Sequence, residues 1–251
     1  MGSLLYFAII GLHFTNSLAT QAIPLKCVFG GHNFLNIFET DAVTASTNKG
    51  PTTNSLQFGV VKFDSHKVDK DGWILEIKNI EFEGMDDAIL EDVRDENRTF
   101  GRDAVFDLTK IFNIFQITFY TDFLVTYDYK TNGHLFSKPI FGEGFLTAPL
   151  ENTQITMSIP FDFKEINGNI VMKLRDFDIG YNIRNKAVLN FSNLYNGDKK
   201  LSDSMHSLIN ENWEYITSNF GKEFMDKFGE QIFNVLRNYM LAHNLRDFST
   251  C

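Results

Sequence analysis

The chain has little cysteine, little proline and no excess of positive charge. Two Cys in 251 residues cannot build a disulfide-dense scaffold. Neither sits in a CxxC pair, which removes the common redox and zinc motifs. Five Pro leave no proline-rich linker. Lys and Arg total 23 against 32 Asp and Glu, for a net charge of −9. A nucleic-acid binder needs a basic surface, so that class is excluded. The same balance disfavours attraction to anionic lipid surfaces. No Gly-x-Ser-x-Gly elbow or His-Glu-x-x-His pair occurs, so there is no sign of esterase, lipase or zinc-protease chemistry. Asp69-x-Asp71-Gly72 resembles a fragment of a calcium loop, but Lys67 and Lys78 would fill its first and last positions. It reads instead as a hairpin turn. The acidic run Asp86, Asp87, Glu91, Asp92, Asp95 and Glu96 reads as a solvated face with at most weak cation affinity. These absences point away from an enzyme and to no cofactor or metal.

Long apolar runs are missing too. Leu4 to Leu12 is apolar but far short of the about 20 residues that span a bilayer. Small residues follow at Ser17 and Ala19, and at Thr20 and Ala22, which fits small-x-small cleavage. Residues 1–19 are therefore predicted to be a secretory signal peptide, with a second cleavage option after Ala22. No stable membrane insertion is expected. The rest, residues 23–251, reads as one secreted, extracellular domain. In that oxidising space Cys27 and Cys251 could pair and tie the two ends together, a geometry that sequence does not fix. Asn97-Arg98-Thr99 and Asn190-Phe191-Ser192 are candidate glycosylation sites.

What the chain has in abundance is phenylalanine: 26 Phe, with 8 Tyr and 2 Trp. Much of it is periodic. Residues 33–42 suggest a short helix. Phe58, Val60 and Phe63 suggest a strand, and Trp73 to Phe82 a longer one after the Asp71-Gly72 turn. Phe115, Ile117, Phe119, Phe123, Val125, Tyr127 and Tyr129 then occupy odd positions between mostly polar even ones. Such alternation means one buried and one wet face, over a strand of about 50 Å. Asn132-Gly133 predicts a hairpin reversal, with a returning strand over Leu135 to Leu146. Ile155, Met157, Ile159, Phe161 and Phe163 alternate again. Another turn falls at Asn167-Gly168, and a phase shift before Phe177 suggests a bulge. Val188 to Leu194 is the last candidate strand. From Ser202 to His243 the period becomes helical, with Ser202 or Ser204 as N-cap. Leu208, Asn212, Ile216, Phe220, Phe224, Phe228, Ile232, Leu236 and Met240 recur every fourth residue. That repeat drifts by about 40° per step, so the stripe winds around a helix of about 60 Å. A helix wrapped by a twisted sheet suits such a stripe. The fold class is α+β, with long antiparallel strands followed by one long C-terminal helix.

One segment carries a family signature. Asn193-Leu194-Tyr195-Asn196-Gly197-Asp198, then Leu201, then Asn210-Glu211-Asn212-Trp213, resembles the insect takeout and haemolymph juvenile hormone-binding protein family. Ile77-Lys78-Asn79-Ile80 with Gly84, and Tyr127, Gly133 and Pro139-Ile140-x-Gly142-x-Gly144, follow its upstream pattern. The resemblance spans about Leu56 to Phe248. It implies a long helix wrapped by a strongly curved antiparallel sheet, related to half of the tubular lipid-binding proteins. It further implies a secreted carrier with an extended hydrophobic ligand in an internal tunnel: a juvenile hormone-like terpenoid, a fatty acid or a quinone-like lipid. The chain departs from the family in carrying only Cys27 where members carry two Cys near the mature N-terminus.

Apolar residues at regular spacing are plain core by default. On the carrier reading, one tunnel wall is Phe115, Ile117, Phe119, Phe123 and Val125, with Ile155, Met157 and Ile159 beside it. Ile216, Phe220 and Phe224 form another. Tyr127 and Trp213, each a polar tip on an apolar body, are the candidates to orient the ligand. The competing reading is a secreted interaction protein with the same fold and a filled core; no protein partner can be named from sequence.

Overall fold

The structure is a computed structural model and describes residues 55–57, 59–97 and 113–245. The predicted signal peptide, the short helix at 33–42, Cys27 and Cys251 lie outside these residues. Two very long strands form the centre. β5 (Asn113–Leu135) and β7 (Gly142–Ile166) pair antiparallel from Asn113↔Phe161 to Thr131↔Gly142. At roughly 3.3 Å per residue each is far longer than the usual five or six residues.

Shorter strands line both outer sides of this pair. β1 (Ser55–Gln57), β2 (Val60–Lys70) and β3 (Trp73–Glu83) extend the sheet beside the second half of β5. β4 (Ile89–Asn97) takes over along its first half. The two-residue β6 (Lys138–Pro139) pairs with the end of β5. On the far side of β7 lie β8 (Asn169–Leu174), β9 (Asp178–Ala187) and β10 (Asn190–Phe191). The ten strands are all antiparallel. β4 carries no strong alternation, and sequence did not single it out as a strand.

Register shifts curve the sheet. Asn79 and Ile80 oppose the single residue Tyr127, which moves the buried positions of β3 from Trp73, Leu75 and Ile77 to Ile80 and Phe82. Arg175 to Phe177 oppose Ile159 and Pro160, three residues against two, between the pairs Phe161↔Leu174 and Ser158↔Asp178. The phase shift expected as a bulge is thus a break between two strands, β8 and β9.

The hairpin signal at Asn132-Gly133 falls in the wrong place. Both residues stay inside β5, and the chain reverses at Phe136-Ser137, whose φ angles are 51° and 61°. Gly133 is committed to a different contact. A Cβ there would lie 2.1 Å from the carbonyl oxygen of Gly72, in the Asp71-Gly72 turn of the neighbouring hairpin. His134 donates to that same carbonyl at 2.9 Å. The glycine thus lets a turn press against β5. The returning strand begins at Gly142 and continues unbroken to Ile166, absorbing the separate strand expected at Ile155 to Phe163. The turns at Asp71-Gly72 and Asn167-Gly168 form as predicted, with left-handed φ at all four residues.

The helical region starts earlier than expected. Asp198, the last residue of the Asn-Leu-Tyr-Asn-Gly-Asp stretch, is the N-cap and accepts from Leu201 N–H at 3.0 Å. Three segments follow: α1 (Lys199–Glu211), α2 (Trp213–Phe220) and α3 (Lys222–Ala242). The single helix expected from sequence is thus interrupted twice. At Asn212 φ and ψ are −115° and 28°, and its N–H tightens onto Ile209 at 3.1 Å. Gly221 marks the second junction. Hydrogen bonds from Ile216 to Asn212 and from Met225 to Gly221 carry the ladder across. The sheet holds this helix from both flanks. His66 of β2 pairs with Glu223, and Lys70 donates to the Asn219 carbonyl at 2.9 Å. Opposite them, Tyr181 of β9 donates to Thr217, and Ile170 N–H of β8 donates to Asn244.

Candidate functional site

The inward faces of β3, β5 and β7 and the helix stripe enclose one apolar cluster. Its floor is a ladder of cross-strand pairs: Phe115↔Ile159, Ile117↔Met157 and Phe119↔Ile155. All six side chains are fully buried. Phe228 of α3 packs above the strands, with ring centroids 5.3 Å from Phe82 and 5.2 Å from Phe123. Phe220 meets Trp73 edge-on at 4.8 Å, and Phe224 lies 5.8 Å from Tyr127.

Packing is uneven along this interior. Phe228, Ile232, Leu236 and Met240 are each 0% exposed, whereas Phe220 retains 6% and Phe224 retains 8%. Across from Phe224, Tyr127 retains 6%. Tyr127, Phe220 and Phe224 thus keep slight exposure, at the end of the stripe that runs into α2, as does Phe233 farther along α3.

Hydroxyl chemistry picks out the same place. Buried tyrosines normally find a hydrogen-bond acceptor. Tyr129 donates to the Ser192 carbonyl at 2.6 Å, Tyr181 to that of Thr217 at 2.5 Å and Tyr195 to that of Pro139 at 2.6 Å. Among the described residues, Tyr127 donates to none. Every sealed side-chain nitrogen or oxygen among them nevertheless has a partner. The Tyr127 side chain therefore keeps a small exposure, 6%, with its ring against Phe224. Burial, with the nearby Tyr129 adding to it, pushes the Tyr127 hydroxyl's pKa well above its ordinary value. The phenol stays neutral and keeps its proton to donate.

Two grooves open on the outside. One, of about 680 Å³, runs between β9 and α2 and includes Ile179, Tyr181, Ile183, Trp213, Thr217 and Lys222. Its two cations are both paired, Arg184 with Glu91 at 3.0 Å and Lys222 with Asp226 at 2.7 Å. Arg184, followed by Gln154, holds the Glu91 carboxyl below its usual range. The other groove, of about 640 Å³, is acidic, with Glu83, Asp86, Asp87, Asp122 and Glu151 around Phe123 and Leu124. Among the described residues no three metal-ligating side chains come together.

The residues named from sequence thus fall in several places. Phe115, Ile117, Phe119, Ile155, Met157 and Ile159 lie in the sealed floor, and Phe123 is packed against Phe228. Ile216 is buried under α2, and Val125 lies two residues from Tyr127 on the same strand face. Trp213 is half-buried and lines the outer groove, apart from the Tyr127 space. Asn190 is exposed on β10, and Asn97 ends β4. Sequence reasoning missed His66, whose ring stands edge-on to Phe224 at 5.7 Å, and Tyr181. Neither stands out from the pattern of its own strand.

A helix gripped along both flanks by a bulged antiparallel sheet, over an apolar interior, defines the fold class. The chain belongs to the haemolymph juvenile hormone binding protein family, whose sequence model matches residues 49–249. The crystal structure of Takeout 1 from Epiphyas postvittana has the same fold, with a TM-score of 0.69. That likeness covers 88% of this chain and 96% of that one, at 20% identity. No match is found among curated proteins. The family is one of binding proteins, and among the described residues no helix is long and apolar enough to cross a membrane.

Proposed function

We propose that the protein is a secreted, non-enzymatic carrier that holds an extended hydrophobic small molecule between the helix and the sheet. The observation that carries this reading is the Tyr127 hydroxyl, slightly exposed and without an acceptor among the described residues, in an aromatic interior. The ligand is a long apolar molecule with at least one oxygen acceptor, such as a terpenoid, a fatty acid or a quinone-like lipid. Its chain lies against Val125, Phe220 and Phe224, and its oxygen accepts from Tyr127. Burial supplies affinity at about 25 cal/mol per Å² of apolar surface, and the hydroxyl sets orientation. Secretion rests on the signal-peptide pattern of residues 1–19, and glycans on Asn97 and Asn190 and a Cys27–Cys251 bridge belong to the same proposal.

Native mass spectrometry and organic extraction of the purified protein test the reading. A stoichiometric lipid is expected. Tyr127→Phe should weaken an oxygenated ligand about fivefold, the equivalent of one neutral hydrogen bond, and leave a plain hydrocarbon unaffected. An interior that yields no lipid and exchanges none overturns it. The sealed cluster of Phe82, Phe123 and Phe228 favours the second reading, a secreted interaction protein with a filled core, and that same null result would support it.

A further inference from the structure

The groove between β9 and α2 lies on the opposite face of α2 from the buried Ile216 and Phe220. α2 is the partition. Its residues Ile216 and Phe220 are buried, while Trp213, Glu214, Thr217 and Ser218 line the groove. The partition is short, eight residues, and is set off by Asn212 and Gly221. On the β9 side one side-chain hydrogen bond ties it down, from the Tyr181 hydroxyl to the Thr217 carbonyl. Gly221 makes that bond possible, because a Cβ there would lie 2.7 Å from the Tyr181 hydroxyl oxygen and 2.4 Å from the Thr217 carbonyl oxygen. Among the described residues β9 pairs only with β7, and no described strand covers its other edge. The lining is amphipathic. Ile179, Ile183 and Trp213 offer apolar surface, and Asn182, Arg184 and Lys222 offer polar and cationic groups.

We propose that this groove is the port through which the ligand reaches the Tyr127 space, with α2 as its moving wall and the Tyr181–Thr217 bond as its latch. The occupant that fits is a single-chain amphiphile, whose apolar chain slides along Ile179, Ile183 and Trp213 and whose polar end passes Arg184 and Lys222 on its way to Tyr127. This inference rests on the carrier reading above.

Stopped-flow fluorescence with cis-parinarate, a fluorescent fatty acid, tests it on the full-length protein. Tyr181→Phe removes the latch and should speed uptake and release together by about fivefold, with little change in affinity. Ser218→Trp places bulk on the exposed side of the groove and should slow both. Tyr129→Phe, which loses a similar bond to a backbone carbonyl elsewhere, should alter neither rate. A merely structural role for Tyr181 would lower thermal stability as Tyr129→Phe does while leaving the rates alone. Uptake by the wild type with unchanged rates in Tyr181→Phe and Ser218→Trp overturns the port and leaves the carrier reading standing. No uptake by the wild type overturns both.

Discussion

The two ends of the helix stripe bury aromatic and aliphatic side chains of the same kind, yet only one end closes. From Phe228 onward the stripe residues are completely covered, and the sheet below them is a ladder of Phe, Ile and Met pairs, beside which the buried pair Thr121↔Thr153 spends its hydroxyls on the Gly84 and Leu150 carbonyls. Toward α2 the opposing residues are Val125, Tyr127 and Tyr129, and small exposures remain on Tyr127, Phe220 and Phe224. One end is fully covered. The other keeps slight exposure and a phenol without an acceptor among the described residues. The family is one of binding proteins, and on the carrier reading proposed above this difference marks where the ligand would lie.

The largest effect should come from truncating one residue at each end. Phe228→Ala removes a ring held between Phe82 and Phe123 and should cost about 3–5 kcal/mol in denaturant unfolding, because the packed site cannot collapse. Phe224 keeps 8% exposure, so on the carrier reading Phe224→Ala should cost only the transfer part, about 1.5–3 kcal/mol. It should weaken ligand binding as well. Equal losses of stability at the two positions would erase the distinction between the ends.

Tyr127 and Tyr129 sharpen the comparison on a smaller scale. They sit two residues apart on the same face of β5, and only Tyr129 has an acceptor, the Ser192 carbonyl. Tyr129→Phe leaves that carbonyl short of a donor and should lose about 0.5–1.5 kcal/mol. Tyr127→Phe breaks no bond among the described residues, so stability should hold while affinity for an oxygenated ligand falls. A destabilisation by Tyr127→Phe as large as that of Tyr129→Phe would show that the hydroxyl serves the fold.

Much of this architecture was legible in the sequence because strand alternation and helix repetition record burial directly. The odd positions of β5 and the stripe from Ile216 to Met240 are buried as read. The errors have a common source, in contacts between distant parts of the chain. Asn132-Gly133 has the local chemistry of a turn, but the Gly72 carbonyl claims the space at Gly133 and the reversal moves to Phe136-Ser137. The helix looked continuous because no proline or lone turn signal marks Asn212. The start of the apolar repeat points to Ser202 or Ser204 as the cap, whereas Asp198 makes the bond. The site was legible as a face only. Alternation cannot tell Tyr127 from Tyr129, since the distinction lies in a carbonyl 63 residues away in sequence from Tyr129.

Alkaline titration offers the smallest and most selective test. Burial pushes the Tyr129 and Tyr181 hydroxyls up to about 12 and that of Tyr127 higher still, against an ordinary value of 10.0. The folded state thus holds protons that the unfolded chain releases. The stability this linkage supplies is fully present below pH 10 and is lost as pH rises through about 12. Absorbance at 295 nm should accordingly show exposed tyrosines ionising near their ordinary value, and the buried ones only as the protein unfolds. In Tyr127→Phe one late-ionising group should vanish without moving the alkaline unfolding midpoint downward. In Tyr129→Phe the group should vanish and the midpoint should fall, because a used hydroxyl has gone. A bound oxygenated ligand should raise the midpoint in the wild type and do so less in Tyr127→Phe, since a ligand that binds only the folded state stabilises it in proportion to its affinity.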